Sequence, residues 1–277
     1  MDVVGPIGIT IRPDPALLDV VGISAETERM KPPIEMMGVL MHPWTLEETV
    51  EEITRRLDAG LFTQHVVVNV AKLVTMQQDP TLREAVSRCD IINIDGMGVL
   101  WGAWLLGLEV PERVAGIDLF YRLLALAEKR GDPVFFLGAE PEVVGPAVDK
   151  ARQLYPRLQI AGYHHGYFWD HEEEIVRKVR ESRARMLFVA ISSPKKEQFL
   201  TRWQKQLGVG LAMGVGGSFD IMAGKTKRAP AWMQKMGLEW VYRIVQEPRR
   251  MWKRYLITNS LFAWMLLHEK FAGRKVT

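Results

Sequence analysis

The sequence predicts an α/β fold: a mostly parallel sheet with helices on both faces, extended at its C-terminal end by a basic helical appendage. Three observations predict it. Short apolar, β-branched or aromatic runs recur along the chain, among them His65–Val70, Val134–Gly138 and Met186–Ile191, each the length of a strand buried on both faces. Between them lie segments with apolar residues at helical spacing, opened by capping residues and closed by Gly or Pro. Beyond Gly224 the strand signal stops, and Trp and Arg become frequent.

In chain order, residues 1–33 come first, where Pro6, Pro13, Pro15, Pro32 and Pro33 break any long helix and predict a loose extension. Met37–Met41 predicts a short strand. Thr45-Leu46-Glu47-Glu48 has the spacing of a capping box, and Leu46, Val50, Ile53 and Leu57 continue a helix to Gly60. The run His65–Val70 predicts a buried strand with Asn69 at its end. Asp79-Pro80 opens a helix to about Cys89, with Asp as cap and Pro at the first helical position. The apolar run from Ile91 then delivers Asp95 to the mouth of the sheet, and Gly96 and Gly98 free the backbone beside it. From these residues alone Asp95 is either a catalytic carboxylate or the cap of the next helix. A helix from Gly116 to Arg130, a strand over 133–138, a helix over 141–155 and a strand over 158–163 follow. A helix over 171–182, a strand over 186–191, a helix over 195–206 and a strand over 210–215 complete the alternation. This order predicts a Rossmann-like sheet with right-handed crossovers, in which ligands bind beyond the carboxyl ends of the strands. Asn69, Asp95, Gly138, Ser192 and Gly216 fall there. Residues 34–224 are the expected core and 225–277 the appendage, with helices over about 230–235 and 238–270.

Composition narrows the function. Hydrophobic residues make up 48% and charged residues 25% of the chain, as in ordinary globular proteins, but nine Trp and fourteen Met predict extra exposed apolar contact. The single cysteine, Cys89, excludes an internal disulfide and a multi-cysteine metal cluster and fits a reducing cytoplasm. The first residues lack the basic lead and apolar run of a secretory signal. The net charge of +3 is unevenly spread: residues 225–277 hold twelve Lys/Arg against three Glu, a net of +9, which leaves −6 on residues 1–224. A basic end on an acidic body predicts an anionic partner: nucleic acid, a lipid surface or a diphosphate. Its longest largely apolar run, Tyr255–Leu267, is thirteen residues, short of the roughly twenty that span a bilayer. Arg249, Arg250, Lys253 and Arg254 beside Trp252 and Leu256 suit a helix lying in the interface of an anionic membrane. A helix packed on its own domain or on a second subunit of a homo-oligomer is the alternative.

The motifs exclude several chemistries. Gly214-Val215-Gly216-Gly217-Ser218 is either a phosphate-facing turn or a structural glycine turn. His164 and His165 are adjacent and on a strand face opposite ways. There is no His-Glu-x-x-His and no Asp-x-Asp pair, so no metal site is expected, and an anionic leaving group would be neutralised by cationic side chains. Gly-x-Ser-x-Gly is absent, Cys89 has no local base, and Ser192-Ser193 read as turn hydroxyls. A nicotinamide-dependent oxidoreductase needs a Gly-x-Gly-x-x-Gly turn after the first strand, which is missing. A non-enzymatic module binding lipid or nucleic acid through the basic helix stays open.

Many ordered stretches carry a family resemblance: Asn69, Asp95-Gly96, Glu112-Arg113-Val114-x-Gly116, Phe136-Leu137-Gly138, Gly166-Tyr167-Phe168, Pro194-Lys195-x-Glu197, Gly214-Val215-Gly216-Gly217-x-Phe219-Asp220, Ala223-Gly224, Arg228-Ala229-Pro230, Leu238-Glu239-Trp240-x-Tyr242-Arg243 and Glu247-Pro248-x-Arg250. From about Gly38 to Tyr255 the chain resembles the WecG/TagA/CpsF glycosyltransferases, bacterial enzymes that move an N-acetylmannosamine-type or related sugar from UDP to a polyprenyl-diphosphate-linked sugar. The resemblance implies an inverting, metal-independent transfer with no cofactor beyond the UDP-sugar donor. It implies Asp95 as general base, and Arg113, Arg243, Arg250 and Lys253 as the cations that neutralise departing UDP. Asn69, Gly138, Lys196, Glu197, Gly216, Gly217 and Arg254 would line the substrates, Tyr167 would stack on uracil, and Asp220 would accept from the ribose. It further implies a cytoplasmic protein, peripheral on the inner face of the membrane, whose appendage closes over the site at an anionic surface, and no nucleic-acid partner. Three positions depart from the family pattern: Val67 where Thr is usual, Lys196 where Gln is usual, and Lys253 where Arg is common. Lys196 as a pocket cation suggests a donor carrying an acidic sugar, or added grip on the diphosphate.

Overall fold

Two strands near the N-terminus, β1 (Val3–Val4) and β2 (Thr10–Ile11), pair antiparallel. In the computed structural model the described residues are these four together with residues 30–272. Met1–Pro32 and the chain from Pro33 onward form separate compact units, and most of the extension expected over residues 1–33 lies outside the described residues.

The larger unit opens with an antiparallel ribbon, β3 (Ile34–Met36) and β4 (Val39–Met41). The sequence predicts one strand over 37–41. Instead the chain turns at Met37 and Gly38, both at positive φ (52° and 68°), because the apolar run is long enough to fold back on itself. Helix α1 (Leu46–Asp58) has both halves of the predicted capping box between Thr45 and Glu48. It leads into β5 (Thr63–Val68). Two helices follow, α2 (Val70–Gln78), which sequence reasoning missed, and α3 (Pro80–Ser87), which it expected. After β6 (Ile91–Ile94) comes another missed helix, α4 (Met97–Leu105). Its sequence, Met-Gly-Val-Leu-Trp-Gly-Ala-Trp-Leu, is apolar all round and has no helical stripe to read. Helix α5 (Gly116–Arg130), β7 (Val134–Gly138), α6 (Pro141–Leu154) and β8 (Ile160–His164) follow as expected. So do α7 (Glu172–Glu181), β9 (Met186–Ala190), α8 (Lys195–Leu207) and β10 (Leu211–Gly214).

Strands β5 to β10 form one parallel sheet in the order β6-β5-β10-β9-β7-β8. Alternate residues fill its two faces, as the pleat requires. Phe136 and Phe188 meet Phe120 of α5 edge-on, with ring centroids 6.0 and 4.9 Å away. Phe135, Leu137, Leu187 and Val189 point the other way into a cluster with Ile175, Val176 and Val179 of α7 and Phe199 and Leu200 of α8. Each fully buried Phe contributes about 2–3 kcal/mol of burial, so helices on both faces are held by the central strands.

A short helix α9 (Ser218–Met222) closes the core, and the appendage beyond it comprises α10 (Ala231–Lys235), α11 (Glu239–Gln246) and α12 (Pro248–Ala272). The single helix expected over 238–270 is broken at Glu247, because Pro248 cannot continue α11 but suits the first turn of α12. Helix α12 is apolar on two sides. Phe262 and Leu266 are buried in a cluster with Met36, Leu73, Leu100 and Ala103. Trp252, Leu256, Trp264, Leu267 and Phe271, by contrast, are each at least half exposed. Among the described residues no helix is long and apolar enough to cross a membrane.

Candidate active site

Neighbouring strands β5 and β6 end side by side and set the site. Residues Asn69 and Asp95 come directly after them, and the Asp95 N–H donates to the carbonyl of Val68 across the pair at 2.9 Å. Gly96, not Asp95, is the N-cap of α4; it sits at φ 89° and has no side-chain cap bond. The capping reading of Asp95 therefore fails, and its carboxylate is left for another use. Asn69 does cap: its Oδ1 accepts from the Lys72 N–H at 3.0 Å, starting α2. Val67 is half-buried beside Gly116, the first residue of α5.

The loop between α4 and α5 carries Arg113 to the carboxylate. Its neighbour Val114 donates its N–H to the Ile94 carbonyl at 2.8 Å, so the loop lies along the outer edge of β6, beyond the stretch that His42 bonds at Ile92. Arg113 Nη1 then stands 3.9 Å from Asp95 Oδ1 and 3.1 Å from Glu239 Oε2 on α11. The appendage is thus seated on the site. It is pinned by Arg228, which forks onto both Asp118 oxygens at 2.5 and 2.8 Å and brings its Nε within 3.7 Å of Glu239 Oε1. Arg113 Nη1 and Arg228 Nε are buried without a well-aligned acceptor. Burial raises the pKa of Asp95 above the usual carboxylate range. Arg113, Arg243 and the Gly116 N–H oppose that rise, and Glu239 adds to it. A quarter of the Asp95 side chain is still exposed, enough to be reached by a ligand.

A second charged group lies at the carboxyl end of β9 and β10. Lys72 Nζ and Lys196 Nζ both donate to Glu197 Oε1, at 2.9 and 2.5 Å, and the Ser193 hydroxyl donates to the same oxygen at 2.9 Å. Lys196 and Glu197 are 6% and 1% exposed. Burial lowers the Lys196 pKa to about 8. In Glu197, burial is outweighed by the two lysines, which bring the carboxyl down to about 2. Gly214 leaves room for this lysine, since a Cβ there would run into Lys196 Cε. The cation read from Lys196 is therefore engaged by Glu197.

The other expected residues are placed as follows. Gly138, at φ 117°, lies so close to the Ala190 backbone that a Cβ would collide with it, so its need for glycine comes from strand packing. Tyr167, just past β8, is 64% exposed. Gly216 and Gly217 are exposed at the turn into α9, and Asp220 on that helix lies 3.7 Å from Lys225 Nζ. Arg243 lies on α11, and its charge favours the ionised form of Asp95. Lys253 and Arg254 are exposed near the start of α12 and have no described contact with Asp95. The Arg250 side chain lies outside the described residues. Cys89 is buried, its thiol pushed up to about 12 by that burial, which fits its exclusion as a nucleophile. Among the described residues no three of His, Cys, Asp and Glu gather in a metal-binding arrangement. A cavity of about 700 Å³ lies away from Asp95, lined by Trp169, Glu172, Glu173, Arg177 and Trp203. It shares no residue with the charged groups above, and a half-buried carboxylate of raised pKa is a stronger indication of a site than volume is.

Sequence reasoning missed Lys72, Asp118, Arg228 and Glu239 as members of these networks. Arg228 and Glu239 stood in the family-like stretches, which were a usable signal. Lys72 lay in an unrecognised helix, and Asp118 was one acidic residue in a helix first turn like many others.

A model of the glycosyl transferase WecG/TagA/CpsF family matches residues 34–276. Among curated proteins, an N-acetylglucosaminyldiphosphoundecaprenol N-acetyl-beta-D-mannosaminyltransferase of Bacillus spizizenii is 35% identical over 197 residues, covering 71% of this chain and 76% of that protein. The protein of the same name from Bacillus subtilis is 35% identical over 187 residues, covering 68% and 72%. With a strand-end carboxylate flanked by arginines, and with this likeness over most of its length, the chain belongs to the WecG/TagA/CpsF family of glycosyltransferases.

Proposed function

We propose that this glycosyltransferase moves N-acetylmannosamine, or a close relative, from UDP to the N-acetylglucosamine of a polyprenyl-diphosphate carrier, with inversion and without a metal ion. The observation that carries the reading is Asp95: a desolvated carboxylate of raised pKa, 3.9 Å from Arg113 and within the field of Arg243. A raised pKa makes the ionised carboxylate a stronger proton acceptor than an ordinary aspartate. In the proposed step Asp95 accepts the proton of the acceptor hydroxyl as that oxygen forms its bond to the anomeric carbon. The bond from that carbon to the UDP oxygen breaks, and UDP leaves with the electron pair. Arg113 and Arg243, joined by Arg250, Lys253 and Arg254 from α12, meet the charge that develops on the diphosphate, a role guanidinium fits through paired hydrogen bonds. Asn69, Lys196, Glu197, Gly216 and Gly217 border the donor at the strand ends, with Tyr167 and Asp220 toward the nucleoside and Gly138 as backbone support. Engagement of Lys196 by Glu197 argues for an uncharged donor sugar over an acidic one.

Residues 34–224 act as the catalytic core and 225–277 as an appendage held at an anionic membrane from the cytoplasmic side, where the carrier lipid is reached. The outward apolar side of α12 and the +9 charge of residues 225–277 support this. The test is transfer from UDP-N-acetylmannosamine to a short-chain polyprenyl-diphosphate-N-acetylglucosamine, with and without chelator. Asp95→Asn is expected to lower kcat by roughly 10²–10⁴-fold with UDP binding kept. Undiminished turnover in that variant refutes the base assignment, and dependence on added divalent ions refutes metal independence.

A further inference from the structure

We infer that Glu239 is a positioning residue for the base: delivered by the appendage, it draws the Arg113 guanidinium away from Asp95 and leaves Asp95 able to take a proton. The inference rests on the reading of Asp95 as general base. Arg113 Nη1 is 3.1 Å from Glu239 Oε2 but 3.9 Å from Asp95 Oδ1, the latter beyond hydrogen-bond reach. An arginine paired directly with a carboxylate stabilises its ionised form and weakens it as a base. Here the closer carboxylate takes that cation, and the Asp95 oxygens are spared.

Glu239 is held from behind as well. Its Oε1 faces Arg228 Nε at 3.7 Å, and Arg228 forks onto Asp118. Charges thus alternate from α5 through the appendage and back to the strand end: Asp118, Arg228, Glu239, Arg113, Asp95. The groups whose charge or dipole acts on Asp95 are Arg113 from the loop before α5, Glu239 and Arg243 from α11, Arg228 ahead of α10, and the Gly116 N–H at the start of α5. Of these only Glu239 opposes the Asp95 charge; Arg113, Arg243, Arg228 and Gly116 favour it. Because Glu239 arrives with α11, the strength of the base depends on the appendage being seated. Unseated, Arg113 would be left to Asp95 alone.

The experiment uses the full chain and records kcat/KM against pH for UDP-N-acetylmannosamine and the short-chain acceptor. In Glu239→Gln the lost negative charge makes ionised Asp95 easier to form, so its pKa falls and the acidic limb of the profile moves to lower pH. The plateau falls too, by less than the roughly 10²–10⁴-fold that loss of a general base costs. Glu239→Asp keeps the charge but draws it back from Arg113, so its limb lies between the two; it also serves as the test if Glu239→Gln does not fold. An acidic limb that stays in place, or moves to higher pH, in either folded variant overturns the inference and leaves Glu239 a docking contact. Failure of the base assignment itself is distinct: Asp95→Asn would then retain turnover whatever Glu239 does.

Discussion

Replacing Glu197 by Gln should destabilise the protein strongly, and more in mild acid than in mild base. Glu197 is 1% exposed and its Oε1 accepts from Lys72, Lys196 and Ser193. Without its charge, two ammonium groups would share a buried site with no anion. Removing one partner of a buried ion pair costs about 3–5 kcal/mol. The displacement of the Glu197 pKa from 4.5 to about 2 independently corresponds to roughly 3 kcal/mol at neutral pH. A loss of that size lowers Tm by roughly 6–12 °C in a domain of this length. The pH dependence follows from Lys196, whose folded pKa of about 8 lies below its ordinary 10.5. In the variant this value drops further, so the folded state sheds the proton earlier than wild type does. The unfolded chain still binds it, so the variant regains stability over a pH range where wild type gains none. Urea unfolding followed by circular dichroism at pH 6 and pH 9 measures both effects. A variant within about 0.5 kcal/mol of wild type at pH 6, or a deficit that does not shrink by pH 9, would refute the reasoning.

Two further outcomes are expected. Gly138→Ala places a Cβ against the Ala190 backbone at a φ of 117° and should cost about 2–4 kcal/mol in urea unfolding; a near-neutral variant would show that the β7–β9 approach is looser than described. Trp264→Ser combined with Leu267→Ser, at side chains 65% and 50% exposed, should weaken co-sedimentation with phosphatidylglycerol vesicles by at least about tenfold. Unchanged vesicle binding with a changed elution volume in size exclusion would assign that side of α12 to a second subunit instead.

The sheet was legible because its strands other than β8 are short runs buried almost throughout. Phe135 and Phe136 both need cover, so the run Val134–Gly138 is hydrophobic throughout and bounded by Pro133 and Gly138. Helices with a stripe and a cap, such as α1 with Thr45 and Glu48, were equally readable. Helix α4 was not, since a segment apolar on every side has no period to detect. Asp95 could be located from its strand, but its neighbours could not. Arg113 reaches it through the Val114–Ile94 backbone bond, and Glu239 arrives from a helix well over a hundred residues later. Such meetings are set by tertiary packing, which a local pattern does not encode. The Lys196 charge was visible, but its neutralisation by Glu197 depends on the first turn of α8 folding inward.

The placement of Asp95 has a further cause upstream, in the interior of the sheet. His65 Nε2 meets Asn93 Oδ1 at 2.8 Å, and Asn93 Nδ2 donates to Thr49 Oγ1 at 3.0 Å, all three residues being almost completely buried. Slipping β6 by one residue along β5 would turn Asn93 to the opposite side of the sheet and strand the His65 imidazole in a dry interior. The imidazole is neutral over the working range, since burial holds its pKa near 4, so the arrangement does not loosen as pH varies about neutrality. Two residues past Asn93, the carboxylate inherits this alignment: three uncharged polar groups inside the sheet fix the point along the strand at which the acid emerges.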